Sequence, residues 1–309
     1  MKVFYNLSTI TFSKKTIVTI GTFDGVHLGH QKIIKRLLDS ASGNDYESVI
    51  ITFLQHPRSV LQTNSDIKLL STTEEKIKLL EKSGLDNLVI LEFNKELAEL
   101  TGEEFVKSIL VDKLNIQKII IGYDHKFGKN RSSDIHDLTN FGKKYHFDVE
   151  QISAEELNEI TISSTKIRKA ITEGDLQLAN QFLGYPFTFT GKVVLGKQLG
   201  RTIHFPTANI QIEHPLKITP KPGVYIVKGN WDGNTHQGMM NIGNRPTVHG
   251  KDTTIEIHFF NLNEDLYSKE ITIAVLAFLR EEQKFNSIDE LKEQLKKDQE
   301  ASLQFFNNS

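Results

Sequence analysis

The pattern of apolar positions divides this chain into two stretches of different character. Thr16-Ile17-Val18-Thr19-Ile20 is a β-branched run that stops at Gly21. After a short loop, His30 to Leu38 sets Ile33, Ile34, Leu37 and Leu38 on one helical stripe. Val49 to Phe53 reads as a second strand, Ser71 to Leu80 as a helix with acids in its first turn, and Leu88 to Leu91 as a third strand. Thr101 can cap a helix through Glu104, with Phe105, Val106, Ile109 and Leu110 apolar, and Lys118 to Ile121 runs into Gly122 as another buried strand. Strands alternating with helices at this spacing predict a parallel sheet with right-handed crossovers. Short helices at Ser164 to Ala170 and Asp175 to Phe182 then lead to Gly184-Tyr185-Pro186.

Beyond that point the period shortens. Phe187 to Val194, Gly223 to Val227, Gln237 to Ile242, Thr254 to Phe260 and Glu270 to Val275 are strand candidates separated by Gly, Pro and Asn turns, the pattern of a small barrel. Ser287 and Glu290 form a capping-box pattern, after which Ile288, Leu291 and Leu295 give a terminal helix that can cover one side of it. The expected domains are residues 1–185 and 186–309, and a length of 309 residues suits two such cores.

Composition narrows the function classes. Lys plus Arg is 37 against 39 for Asp plus Glu, a net charge of −2, which argues against a general nucleic-acid binder and a polybasic membrane attachment. There is no cysteine, so thiol nucleophiles, zinc-thiolate sites and iron–sulfur ligation are excluded and the chemistry rests on oxygen and nitrogen groups. No run of 18 apolar residues occurs and the first 20 residues do not form a signal peptide. The reading is a cytoplasmic protein with small-molecule partners, no nucleic acid and no membrane, its oligomeric state open.

Gly21-Thr22-Phe23-Asp24-Gly25-Val26-His27-Leu28-Gly29-His30 lies between the first strand and its helix, at the edge of a parallel sheet where ligands bind. Its glycines permit close backbone approach, and His27 and His30 at a helix start present two imidazoles where the dipole favours an anion. A polyphosphate suits that arrangement; a tight turn with a capping Asp24 and one packed histidine is the alternative. The spacing does not fit the dinucleotide fingerprint. Gly191-Lys192-Val193-Val194-Leu195-Gly196-Lys197 opens like a P-loop, but Gln198 stands where Ser or Thr is needed and no helix pattern follows.

Asp24-Gly25-Val26-His27-Leu28-Gly29-His30 resembles the signature of nucleotidylyltransferases. The longer pattern is similar to the bacterial bifunctional riboflavin kinase/FAD synthetase family, through His56-Pro57, Gly122-Tyr123-Asp124-His125-Lys126-Phe127-Gly128 and Ile162-Ser163-Ser164-Thr165-Lys166-Ile167-Arg168 in the same order. The resemblance implies an N-terminal parallel-sheet nucleotidylyltransferase-like domain that joins the FMN phosphate to the α-phosphorus of ATP. It gives His27, His30 and Arg168 catalytic roles at the triphosphate. Gly21, Phe23, Asp24, Gly25, Gly29, Gly122, Asp124, Ser163, Ser164 and Thr165 are then nucleotide- or flavin-binding. By residue type alone, Ser163 to Thr165 also reads as an ordinary helix cap.

Gly191, Gly196, Gly200-Arg201, Phe205-Pro206-Thr207-Ala208-Asn209, Asn241-Ile242-Gly243-Asn244-Arg245-Pro246-Thr247 and Glu256-Ile257-His258 resemble the family's second half. This implies a Greek-key β-barrel riboflavin-kinase-like domain with a terminal helix. Glu256 would be the general base, Thr207 and Asn209 Mg²⁺ ligands, and Gly191, Gly196, Gly200, Arg201, Asn241 and Arg280 cofactor-binding. Hard oxygen donors such as a Thr hydroxyl and an Asn amide suit Mg²⁺ held together with ATP. By alternation alone Glu256 is an exposed strand carboxylate and Pro206-Thr207 a strand-edge turn. The implied activity turns riboflavin into FMN and FMN into FAD with ATP as co-substrate. The alternatives are one active module, or a flavin- and nucleotide-binding regulator. Departures from the family pattern include Ser133 and His204 where glycine is common, His125 where phenylalanine is common, and Asn261-Leu262 in place of Asp-Phe.

Overall fold

The computed structural model describes residues 1–7, 10–55, 57, 67–123, 125–157, 162–196, 199–247 and 250–308. The chain folds into two compact units, residues 1–67 with 73–164, and residues 68–72 with 165–309.

The first unit is built on a six-stranded sheet in which every pairing is parallel. Its strands are β1 (Lys2–Phe4), β2 (Thr16–Ile20), β3 (Glu47–Phe53), β4 (Asn87–Leu91), β5 (Ile116–Gly122) and β6 (Asp148–Ile152), in the order β1-β4-β3-β2-β5-β6. The apolar runs are continuous because both faces are covered. Val18, Ile51, Val89 and Ile119 face one apolar cluster, whereas Ile17, Ile50, Leu88 and Ile120 face the other. Helix α1 (Leu28–Ser42) buries Ile33, Ile34 and Leu37 in the second cluster, on the stripe the spacing predicts. Helix α2 (Thr73–Glu81) lies between β3 and β4 in sequence.

Thr101 and Glu104 form the expected reciprocal capping box, and the helix continues as a π-helical turn at Val106–Val111. Beyond the predicted elements the fold contains β1, β6 and helix α3 (Ile135–Tyr145), capped by Asp134. The two additional strands are the sheet's edges, where short, mixed-polarity segments suffice and the apolar signal is weak. The strand order reverses at β2: β3 and β4 extend the sheet on one side and β5 on the other. The loops after β2 and β5 therefore open at a topological switch point, the place where parallel sheets bind ligands.

The second unit is a closed antiparallel barrel of β7 (Phe187–Val194), β8 (Ala208–Gln211), β9 (Gly223–Trp231), β10 (Asn234–Thr247), β11 (Gly250–Phe259) and β12 (Glu270–Arg280). Phe187, Phe189, Ile210, Tyr225, Ile257 and Ile273 are among its buried residues. The change from β/α alternation to short strands is thus a change of architecture, as the patterning indicated. β8 is the strand that the pattern does not reveal, because four residues opening on Ala208 and Asn209 carry little periodicity.

Helices α4 (Ser164–Glu173) and α5 (Leu176–Leu183) precede the barrel; Asn180 of α5 donates to the carbonyls of Val275 and Leu276 and accepts from the amide of Phe187. The terminal helix α6 (Ile288–Asn307) is capped by Ser287, while the Glu290 carboxylate accepts from the Asn286 amide. Leu295 and Phe306 of α6 pack with Phe205, Met239 and Phe260 on the outside of the barrel.

Candidate active sites

The loop between β2 and α1 is held in an unusual backbone conformation. Phe23 and Val26 have φ of 48° and 37°, in the left-handed region that a β-branched residue rarely enters. Such strain persists where surrounding packing over-determines it. Here both side chains are buried in the core cluster beneath α1. Gly25 supplies a third positive φ, and Asp24 is buried among them.

His27 caps α1: its Nδ1 accepts from the His30 amide at 3.4 Å, which fixes the proton of the neutral ring on Nε2. The two imidazoles stack at 3.7 Å between centroids, and Phe23 packs on His30 at 5.0 Å. Burial, then His27, then the cation of Lys76 hold the His30 imidazole well below its ordinary pKa, so it is neutral at pH 7. His30 Nδ1 is a buried nitrogen without a hydrogen-bond partner, a group that a phosphate oxygen would satisfy.

Gly21, whose amide donates to the Ile51 carbonyl, opens this loop, and Gly29 is buried in the first turn of α1. Gly122 ends β5 across the switch point, while Asp124 and His56 lie outside the described residues. Ser164 Oγ donates to the Asp24 carbonyl at 3.1 Å within the first unit, with Ser163 half-buried beside it. Thr165 and Arg168 belong to the second unit, where Thr165 is exposed and Arg168 Nε donates to the Lys68 carbonyl at 2.6 Å.

Lys76 is the residue that sequence reasoning missed. Only 7% exposed, it donates from α2 to the Thr22 carbonyl and the Thr52 hydroxyl. In the helix pattern Lys76 takes the core position four residues before the fully buried Leu80. A charge on that stripe is the signal that could have found it.

In the barrel, register does what sequence spacing could not. Glu256 of β11 is directly opposite Asn209 of β8 on one side and Asn241 of β10 on the other. Opposed residues of antiparallel strands share a face, so the three side chains form one row across adjacent strands. Their neighbours Ile255 and Ile257 are buried, which assigns the row to the opposite, outer face.

His258, two residues on, shares that face; its Nδ1 bonds the Pro206 carbonyl at 2.8 Å and its ring packs on Phe205. Burial lowers the His258 pKa, partly offset by that carbonyl. Gly196 packs so closely on Asn209 that a Cβ there would stand 2.1 Å from the side-chain amide. A small, solvent-open cleft adjoins Thr207, lined also by Ile257, Phe259, Glu264, Asp265 and Tyr267.

The remaining candidates occupy other positions. Gly191 is inside β7 against Ile210, Gly200 is in the helical turn Leu199–Thr202, and the Arg201 side chain lies outside the described residues. Within the row, Asn241 Nδ2 also donates to the Glu282 carboxylate at 3.4 Å. Arg280 forms a forked ion pair with the buried Asp298 of α6, with donor distances of 2.7 to 3.1 Å. That pair fastens the terminal helix to the barrel.

His204, where glycine is common, has φ of 62° and is exposed. A left-handed L-residue costs about 1–2 kcal/mol, against about 0.4–1 kcal/mol of unfolded-state entropy that glycine adds. His204→Gly is therefore expected to raise stability by about 0.5–1 kcal/mol, read as a higher urea midpoint with unchanged slope. A lower midpoint would contradict the strain.

Comparison with known proteins finds two family matches within the chain. Residues 9–166 match the family described as FAD synthetase, and residues 183–306 match the family described as riboflavin kinase. A bifunctional riboflavin kinase/FMN adenylyltransferase of Buchnera aphidicola is 38% identical over 98% of this chain and 97% of its own. The protein of the same description from Listeria monocytogenes is 37% identical over 99% and 98%. A crystal structure of a Streptococcus pneumoniae protein, described as a macrolide-efflux protein, superposes with a TM-score of 0.89 at 30% identity, covering 97% of each chain. Among the described residues no helix is long and apolar enough to cross a membrane. With both family matches in one chain and relatives aligned end to end, this chain belongs to the bifunctional riboflavin kinase/FMN adenylyltransferase family.

Proposed function

We propose that the chain performs its family's two reactions at two separate sites, adenylyl transfer at the Gly21–His30 loop and phosphoryl transfer along the Asn209–Glu256–Asn241 row. What carries this reading is the contrast between the two sites, because it matches a contrast between the two nucleophiles. The FMN phosphate is ionised at neutral pH, its second pKa being about 6. It needs no general base to attack the α-phosphorus of ATP, only positioning and screening of charge as pyrophosphate leaves. The stacked His27 and His30, at a helix N-terminus, supply donors of that kind.

The riboflavin 5′-hydroxyl, by contrast, must lose a proton as its oxygen bonds to the γ-phosphorus and ADP departs. Glu256 supplies a carboxylate to accept that proton. Asn209 and Asn241 flank it in the same row and favour a fixed position for the carboxylate and the groups it meets.

For the nucleotide, Thr207 and Asn209 offer a hydroxyl and an amide oxygen, and Gly196 packs directly against the Asn209 amide, which helps to fix the position of that oxygen. These two residues would hold Mg²⁺, which supplies charge neutralisation at the phosphates when bound.

Ser163, Ser164, Thr165 and Arg168 are assigned to the triphosphate of the first reaction by the family pattern. The functional modules are proposed as residues 1–185 and 186–309, and dependence on ATP supports a cytoplasmic location.

The test is a time course of products from riboflavin, ATP and Mg²⁺. FMN is expected first, with release of ADP, and FAD second, with release of pyrophosphate. FAD formed from supplied FMN with none formed from riboflavin would leave a single active module and reject the two-site reading.

A further inference from the structure

Lys76 stands in α2 within the run Thr73-Glu74-Glu75-Lys76-Ile77-Lys78, where a lysine ordinarily faces water. Instead its ammonium is buried, and it has three acceptors: the Thr22 carbonyl at 2.8 Å, the Thr52 hydroxyl at 3.1 Å and the Phe53 carbonyl at 3.5 Å. The Thr52 hydroxyl in turn donates to the same Thr22 carbonyl at 3.0 Å. Each acceptor lies at the C-terminal end of β2 or β3, and Thr22 is the residue immediately before the strained Phe23.

Among the described residues, the charged or titratable neighbours that act on this ammonium are Asp24 of the loop, which attracts it, and His30 of α1, which it repels. β3 contributes the Thr52 and Phe53 oxygens. A buried ammonium bonded to neutral oxygens is costly compared with an apolar side chain of similar volume, and the fold alone gives little reason to keep it.

We propose that Lys76 is a positioning residue for adenylyl transfer, whose ammonium pins the Thr22 carbonyl to the end of β3 and holds positive charge behind the His27–His30 pair. The peptide between Thr22 and Phe23 is trans and planar, so a carbonyl fixed toward Lys76 sends the Phe23 N–H the opposite way. The clamp thus sets the direction of the first amide of the strained segment. Its charge favours the neutral form of His30 before substrate arrives and adds to the attraction for a polyphosphate afterwards. The proposal rests on the assignment of adenylyl transfer to the Gly21–His30 loop.

Burial brings the Lys76 pKa down to about 8, so the clamp is charged at neutral pH and is lost as pH rises through that value. FMN adenylylation by the full chain is therefore expected to lose kcat/KM on an alkaline limb near pH 8, tenfold per pH unit. Riboflavin phosphorylation by the same preparation is expected to lack that limb. The phosphate substrates complete their ionisation below it.

Lys76→Met is expected to lower adenylylation about 10- to 100-fold and to remove the limb, with riboflavin phosphorylation within twofold as the check on folding. Lys76→Arg, whose charge persists to high pH, should recover part of the rate and move the limb upward. A Lys76→Met rate within twofold of the parent, or a slowed variant that keeps the parent's limb, overturns the proposal. If that variant does not fold, a parent profile flat through pH 8 overturns it equally. His30→Ala in the same assay separates the two readings. A fully active His30→Ala rejects the site assignment itself, whereas an inactive His30→Ala beside a normal Lys76→Met rejects only the role of Lys76.

Discussion

His30→Ala is expected to slow FMN adenylylation by about 10²–10³-fold, the usual consequence of removing one preorganised donor from a site of developing negative charge. Riboflavin phosphorylation should stay within twofold. The size of the effect follows from the state of the imidazole before substrate binds. His30 is half-buried, stacked on His27 and held neutral, with its buried Nδ1 unpartnered. A buried polar atom in that condition costs the folded protein free energy that a bound phosphate oxygen returns. The neutral ring also avoids placing two imidazolium ions 3.7 Å apart before the anion arrives.

A second readout checks the same physics. Because the folded pKa of His30 lies below its unfolded value of about 6.5, the unfolded chain binds a proton that the folded chain does not. Stability is therefore lost as pH falls through 6.5, and His30→Ala should flatten that part of the pH–stability curve. An unchanged adenylylation rate, or a parallel loss of both activities, would show that the imidazole is not acting at a separate adenylyl site.

How much of this was legible in the sequence depends on how local the signal is. β2, its loop and α1 are contiguous, so one strand pattern, one glycine and one apolar stripe locate them, and His27 and His30 with them. The sheet order that makes this loop a switch point is a matter of pairing between distant segments, which periodicity does not encode. The same limit applies in the barrel. Glu256 reads as one polar position in an alternating strand, and its neighbours Asn209 and Asn241 lie 47 and 15 residues away in sequence, brought beside it only by register.

Lys76 was overlooked for a different reason. Long cationic side chains on helices are nearly always solvated, so residue type outweighed its place on the buried stripe. Arg280 reverses the case. The family resemblance assigns it to cofactor binding, and the fold gives its guanidinium Asp298, buried in α6, as a partner that sequence distance hides.

Glu256→Gln is expected to reduce riboflavin phosphorylation by about 10²–10⁴-fold, the contribution of a positioned general base. The amide keeps the size of the side chain and its place in the row between Asn209 and Asn241, so packing against the flanking strands is preserved. What it loses is the capacity to take the hydroxyl proton as the γ-phosphorus bond forms. The loss should consequently appear in kcat, with KM for ATP and riboflavin little changed, since binding in the ground state does not require the proton to move. Adenylylation of supplied FMN should remain within twofold, because that nucleophile is ionised before it binds and its loop lies in the other unit. Following FMN from riboflavin and FAD from FMN in separate assays of the purified variant measures both quantities. An unchanged kcat for phosphorylation would remove Glu256 from the role of base, and a rise in KM alone would make it a binding group.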